Sequence, residues 1–95
     1  MNIPKTIKVG GVEYVIKIVK ILEDDSCGEL EYDKGIIRIK KIKSKDNQNV
    51  AFWHETVHAI DFAFINGQIK DKLGEEVIDS LANGIYQVVK QMETQ

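Results

Sequence analysis

The first forty residues contain short runs in which polar and apolar positions alternate, the pattern of half-buried β-strands. Residues 5–21 predict two strands joined at Gly10-Gly11, because paired glycines between apolar runs favour a hairpin. Residues 28–32 and 36–40 predict two more strands, separated by turn residues at 33–35. This part of the chain therefore predicts a small antiparallel sheet.

Beyond this sheet the apolar positions take on a helical spacing. Four apolar residues recur at intervals of four, three and four, namely Trp53, Val57, Ile60 and Phe64. They predict the buried stripe of a helix that ends near Asn66-Gly67, a common stop signal. A polar side chain is expected to cap the start of this helix, with three candidates: Asp46, Asn47 and Asn49.

A second helix is predicted to start near Gly74. Its apolar face is expected to comprise Ile78, Leu81, Ala82, Ile85, Val88, Val89 and Met92. Strands followed by helices define the α+β class, and we expect an N-terminal antiparallel sheet followed by two helices.

The length and composition of the chain are those of one ordinary globular domain. The chain has 95 residues, of which 43% are hydrophobic and 29% charged, and it contains one proline. The net charge of −2 gives no general attraction to nucleic acid or to an anionic membrane. No apolar run is long enough to span a bilayer, and Cys27 has no partner for an intrachain disulfide. We therefore expect a cytoplasmic protein that does not enter membranes. Nucleic-acid binding through the local basic run from Arg38 to Lys45 is a minor alternative.

The first predicted helix carries the candidate chemistry, the sequence His54-Glu55-Thr56-Val57-His58. Histidines four apart on a helix project from the same face and can converge on one cation. Glu55 lies next to the first of them and can reach a water molecule bound to the metal. This is the H-E-x-x-H arrangement of zinc peptidases, in which the glutamate acts as the general base.

A catalytic zinc site usually has three protein ligands, and the chain contains no third histidine. The third ligand is therefore expected to be a carboxylate. Glu75, Glu76 and Asp79 on the second helix are the candidates, with Asp61 on the first helix as an outsider.

These residues resemble the gluzincin metallopeptidases, in which a glutamate downstream of H-E-x-x-H is the third ligand and an acidic or amide residue four positions later orients a zinc histidine. Glu75 and Asp79 have that spacing. The closer resemblance is to minimal gluzincins and the ImmA/IrrE-like metallopeptidases of phages and mobile elements. It covers mainly residues 54–60 and 75–85. The resemblance implies one zincin-like domain over residues 1–95, with Glu75 as ligand and Asp79 in support.

The residues downstream of H-E-x-x-H can also be aligned with the family pattern in a second register. Asp79 and Asn83 also resemble the E-x-x-A-N pattern of the ImmA/IrrE-like proteins, with Asp in place of Glu. Two antiparallel helices would bring the histidines opposite residues well inside the second helix, which favours Asp79. The longer reach of Glu75, and its place on the stripe that faces the first helix, favour Glu75. The third ligand is thus a choice mainly between Glu75 and Asp79.

The resemblance implies a Zn²⁺-dependent hydrolase that cleaves peptide bonds in a peptide or protein substrate. In zincins the strand before the active-site helix presents an edge to the substrate, and residues 36–40 are expected to fill that role. Three tyrosines are candidates for stabilising an oxyanion: Tyr14, Tyr32 and Tyr86. The alternative is a non-catalytic module that uses zinc for stability and binds a phage or host protein. The small size of the chain keeps this alternative open.

Overall fold

The computed structural model describes residues 1–94, which form a four-stranded sheet and three helices. The strands are β1 (Thr6–Val9), β2 (Val12–Val19), β3 (Gly28–Glu31) and β4 (Ile36–Lys40). The helices are α1 (Lys45–Ile65), α2 (Gln68–Leu73) and α3 (Glu75–Glu93). A single 3-10 turn at Glu23–Asp25 lies between β2 and β3. The predicted α+β class is confirmed, and α2 is an additional short helix.

The sheet is mixed, where the sequence pattern predicted only antiparallel pairing. Its order is β1-β2-β4-β3, and β2 runs parallel to β4 with Ile16 opposite Ile37. The order follows from side-chain burial. Ile37 and Ile39 of β4 are both completely buried, so β4 gains most from a central position. The inward positions of β3 hold only Gly28 and Leu30, and β3 forms one edge of the sheet, with β1 at the other. The prediction that residues 36–40 form an edge strand is therefore wrong, and β3 takes that position.

The start of α1 is capped by Ser44, and not by any of the three expected residues. The Ser44 hydroxyl accepts a hydrogen bond from the backbone N–H of Asn47 at 3.1 Å. Asp46 lies in the first turn instead, where the helix dipole favours a carboxylate. The predicted stop signal is confirmed, because Asn66 ends α1 in the left-handed conformation with φ of 57°.

The buried face of α1 is centred differently from the predicted stripe. Of the four residues in that stripe only Val57 is buried, and Phe64 is 68% exposed. The helix lies between the sheet and α3, so it is buried on two sides. Phe52 and Ala59 contribute to the main core together with β-strand residues. Because two faces are covered, side chains near the histidines are more enclosed than a single stripe would suggest.

Helix α3 packs on α1 through a narrower face than predicted. Its buried residues are Ile78, Ala82 and Tyr86, spaced four apart. Several members of the predicted apolar face are exposed instead: Leu81, Val88 and Met92. Among residues 1–94, no helix has both the length and the apolar character needed to cross a membrane.

Candidate metal centre

The two histidines lie side by side on the middle of α1. Their ring centroids are 4.9 Å apart and the ring planes are inclined by 61°. The His54 side chain is 23% exposed and that of His58 is 11% exposed. The four-residue spacing on a helix accounts for this arrangement, because it turns both side chains to one face. Both rings therefore border the same small volume.

Glu75, the first residue of α3, completes the cluster. Its Oε2 atom lies 3.0 Å from Nε2 of His54 and 3.1 Å from Nε2 of His58. Its Oε1 atom lies 3.0 Å from the same His58 nitrogen. Ligand atoms from these three residues lie within 4.8 Å of one another. The sequence predicted both histidines as ligands and Glu75 as a main candidate for the third ligand. The structure brings these three residues together.

The other carboxylates occupy different positions. Asp79 approaches the far side of the His54 ring, with Oδ1 at 3.4 Å from Nδ1. It is in turn contacted by the Asn83 side-chain amide, which donates to the Asp79 backbone carbonyl at 2.9 Å. An acceptor at Nδ1 fixes the tautomer that leaves Nε2 free to bind a cation. Asp79 therefore has the geometry of a group that orients a ligand.

Asp61 and Glu76 lie outside the cluster. The Asp61 side chain is 1% exposed and accepts hydrogen bonds from the backbone N–H groups of Ile69 and Lys70, at 3.0 and 3.1 Å. It thereby binds the first turn of α2, where N–H groups lack partners within the helix. Glu76 is exposed on α3. The role of Asp61 was missed because the sequence pattern gave no sign of α2.

Glu55 projects from α1 toward β3 and is only 8% exposed. Burial raises the pKa of this carboxyl group to about 7, since the charged form loses its hydration. The nearby His54 opposes that rise in pKa, whereas the negative charge of Glu75 adds to it. A carboxyl group whose pKa lies close to neutral pH can both accept and release a proton.

Burial lowers the pKa of His58, although the nearby Glu75 carboxylate acts in the opposite direction. The neutral imidazole is therefore favoured at neutral pH. This is the form of histidine that can bind a metal ion.

Gly28 on the edge strand makes room for Glu55. A Cβ atom at Gly28 would lie 3.0 Å from Cγ and 3.1 Å from Oε2 of Glu55. A side chain at this position would require Glu55 to move by a few tenths of an ångström. Sequence reasoning did not identify Gly28 as a site residue. An isolated glycine at the start of a strand pattern is nevertheless a known sign of close approach.

The three tyrosines have different surroundings. Tyr14 is 1% exposed in the main core, and Tyr86 donates a hydrogen bond to Asp46 at 2.5 Å. Tyr32 follows β3 directly, on the same side of the molecule as the histidine cluster. Burial raises the pKa of its phenol, and the negative charges of Glu55 and Glu75 contribute to the rise. Of the three, Tyr32 is the one near the candidate site.

The donor atoms fit a zinc ion. Tetrahedral zinc takes histidine nitrogen and carboxylate oxygen at about 2.0–2.2 Å, which places neighbouring ligand atoms roughly 3.4 Å apart. The Glu75 oxygen and the two Nε2 atoms are separated by 3.0 and 3.1 Å, so small side-chain rotations suffice. The chemistry of this donor set and its spacing are therefore compatible with one bound zinc.

Comparisons with protein-family models, with curated proteins and with solved structures found no match to this chain.

Proposed function

We propose that this protein is a zinc-dependent metallopeptidase in which His54, His58 and Glu75 hold the metal and Glu55 is the general base. The observation that carries the proposal is the convergence of two Nε2 atoms on one carboxylate, with a buried second carboxylate one residue from His54. Three protein ligands of this type are typical of catalytic zinc.

Two nitrogens and one oxygen form the donor set common in zinc hydrolases, whereas calcium and magnesium prefer oxygen ligands alone. When bound, zinc supplies a Lewis acid that lowers the pKa of a water molecule and polarises a peptide carbonyl. Asp79 holds the His54 ring with Nε2 directed at the site.

Glu55 handles the protons of hydrolysis. Its carboxylate accepts a proton from the attacking water and returns that proton to the leaving amine. Burial of Glu55 favours its protonated form and so raises its pKa. This protonated form must exist between the two proton transfers. Gly28 keeps the carboxylate in place by allowing β3 to lie directly against it.

The free edge of β3 provides a place for the substrate. An extended peptide can add to an open sheet edge through main-chain hydrogen bonds, and β3 is the edge strand that lies against Glu55 of α1. A peptide paired with Gly28–Glu31 would pass in front of Glu55. This assignment transfers the substrate-binding role expected of residues 36–40 to β3.

A non-catalytic zinc module that binds a phage or host protein is the second candidate. Structural zinc sites are closed by four protein ligands. This cluster has three ligand residues, and the Glu75 side chain is 53% exposed, which favours catalysis. We further propose a cytoplasmic protein of the minimal gluzincin or ImmA/IrrE-like type, in keeping with the H-E-x-x-H motif and the free Cys27.

Metal analysis of the purified wild type and of His58→Ala tests the zinc site. The wild type should contain one zinc per chain and the variant much less, and an equal zinc content in both would refute the site. Catalysis is tested separately by incubating wild type and Glu55→Gln with a peptide library and detecting cleavage by mass spectrometry. Cleavage by wild type alone supports the peptidase. Zinc binding in both without any cleavage would support the binding module.

A further inference from the structure

Tyr32 and Phe62 form an aromatic wall beside the candidate metal centre. Their ring centroids are 4.1 Å apart and the planes are inclined by 33°. Despite this contact Phe62 remains 51% exposed. The pair therefore presents an apolar surface to solvent, at the point where β3 ends.

The position of Phe62 on α1 directs it toward the site. It lies one turn after His58, which corresponds to a rise of about 6 Å. At 3.6 residues per turn, Phe62 projects between the directions of His58 and Glu55. Phe64 projects well away from that sector and is 68% exposed. Phe62 is thus the exposed phenylalanine of α1 that faces the cluster.

Tyr32 approaches the same volume from the sheet side. It continues the inward-facing positions of β3, two residues after Leu30 and four after Gly28. The charges of Glu55 and Glu75 contribute to the raised pKa of its phenol, as expected for a phenol close to the cluster. Gly28 at one end of β3 therefore approaches Glu55 of α1, and Tyr32 just past the other end contacts Phe62 of the same helix.

We propose that the Tyr32–Phe62 wall receives an apolar or aromatic side chain of the peptide substrate, next to the bond that is cleaved. The inference rests on the proposed peptidase function. A peptide paired with β3 would direct alternate side chains toward α1. The Tyr32–Phe62 pair lies there, one helical turn from His58, and is the only half-exposed aromatic pair found in residues 1–94. The wall makes the protein selective for peptides with a large apolar residue at that position.

Two zinc-binding probes test the wall: N-acetylphenylalanine hydroxamate and N-acetylglycine hydroxamate. Their affinities for the zinc-loaded protein are measured by isothermal titration calorimetry. Wild type should bind the phenylalanine compound about tenfold more tightly, the gain expected from a partly enclosed apolar contact. Phe62→Ala should reduce that ratio to about twofold. Phe64→Ala is the matched control and should keep the wild-type ratio.

Variants of the second ring provide a further test. Tyr32→Phe keeps the ring and should keep the affinity ratio, whereas Tyr32→Ala should lose it. Equal affinity of wild type for the two probes would overturn the wall while leaving the zinc site intact. Failure of both probes to bind zinc-loaded wild type would instead show that the zinc has no open coordination position, and would overturn the proposed peptidase and the wall with it.

Discussion

Gly28 lies so close to Glu55 that a Cβ atom there would be 3.0 Å from Glu55 Cγ and 3.4 Å from the Arg38 backbone carbonyl. The backbone carbonyl cannot move freely, so the Glu55 side chain would have to shift. The edge strand and the candidate general base are therefore fitted to each other. This relationship links the fold directly to the proposed chemistry.

Gly28→Ala should shift the Glu55 side chain by a few tenths of an ångström and change the pKa of Glu55, because the carboxyl group loses its fitted position against β3. NMR titration of labelled glutamate carboxyl groups measures that change. Gly11→Ala is the control, because a Cβ atom at Gly11 meets nothing within 4 Å. Zinc affinity should be similar in both variants. An unchanged Glu55 pKa in Gly28→Ala would contradict the close fit.

The buried Glu55 should make the zinc-free protein less stable as pH rises. Its pKa is raised from 4.5 in the unfolded chain to about 7 in the folded protein. Its contribution to the free energy of unfolding is therefore complete below about pH 4.5 and lost as pH rises through 7. The loss is about 3 kcal/mol at most, at 1.36 kcal/mol per pKa unit.

Urea unfolding of chelator-treated wild type and Glu55→Gln checks this dependence. The difference in unfolding free energy between the two proteins should shift in favour of the glutamine variant by about 2–3 kcal/mol between roughly pH 4.5 and pH 8. Other titrating groups are common to both proteins and cancel. A constant difference across this range would show that Glu55 ionises freely.

Asp79→Asn should weaken zinc binding without abolishing it. The carboxylate lies 3.4 Å from His54 Nδ1 and orients the ring, and loss of such a partner typically costs tenfold to about a hundredfold in metal affinity. Competition with a chromophoric chelator gives the affinity, and Glu76→Gln serves as the control. A loss as large as that of Glu75→Ala would instead favour Asp79 as a direct ligand.

Asp61→Ala should destabilise the fold. The carboxylate is buried and binds two backbone N–H groups at the start of α2, so its removal leaves both without a partner. We expect a loss of about 3 kcal/mol in the free energy of unfolding, measured in urea with the metal removed. At a temperature where the variant is folded, zinc affinity should stay near the wild-type value. A large loss of zinc affinity would indicate that Asp61 is a ligand.

The class of fold and the histidine pair were accessible from the sequence because both depend on local spacing. Strand alternation and the four-residue spacing of His54 and His58 are fixed by backbone geometry. The choice between Glu75 and Asp79 depends on how α3 docks on α1. The short helix α2 sets that docking, and it had no recognisable start signal in the sequence.

The strand order and the role of Gly28 also lay beyond the local pattern. Either strand of the second hairpin could have joined β2, and the choice fell on β4 because Ile37 and Ile39 bury more apolar surface there. Only once β3 is known to be the edge strand does Gly28 meet Glu55. Contacts between distant segments determine both features.

The most direct test of the proposed metal centre compares zinc affinity in Glu75→Ala and Glu76→Ala. The two glutamates are adjacent and exposed in the first turn of α3, but only Glu75 contacts the histidines. Zinc affinity measured by chelator competition should fall by more than about a hundredfold in Glu75→Ala, beyond the range for a group that only orients a ligand, and remain at the wild-type value in Glu76→Ala. Equal affinities in the two variants would contradict the centre formed by His54, His58 and Glu75.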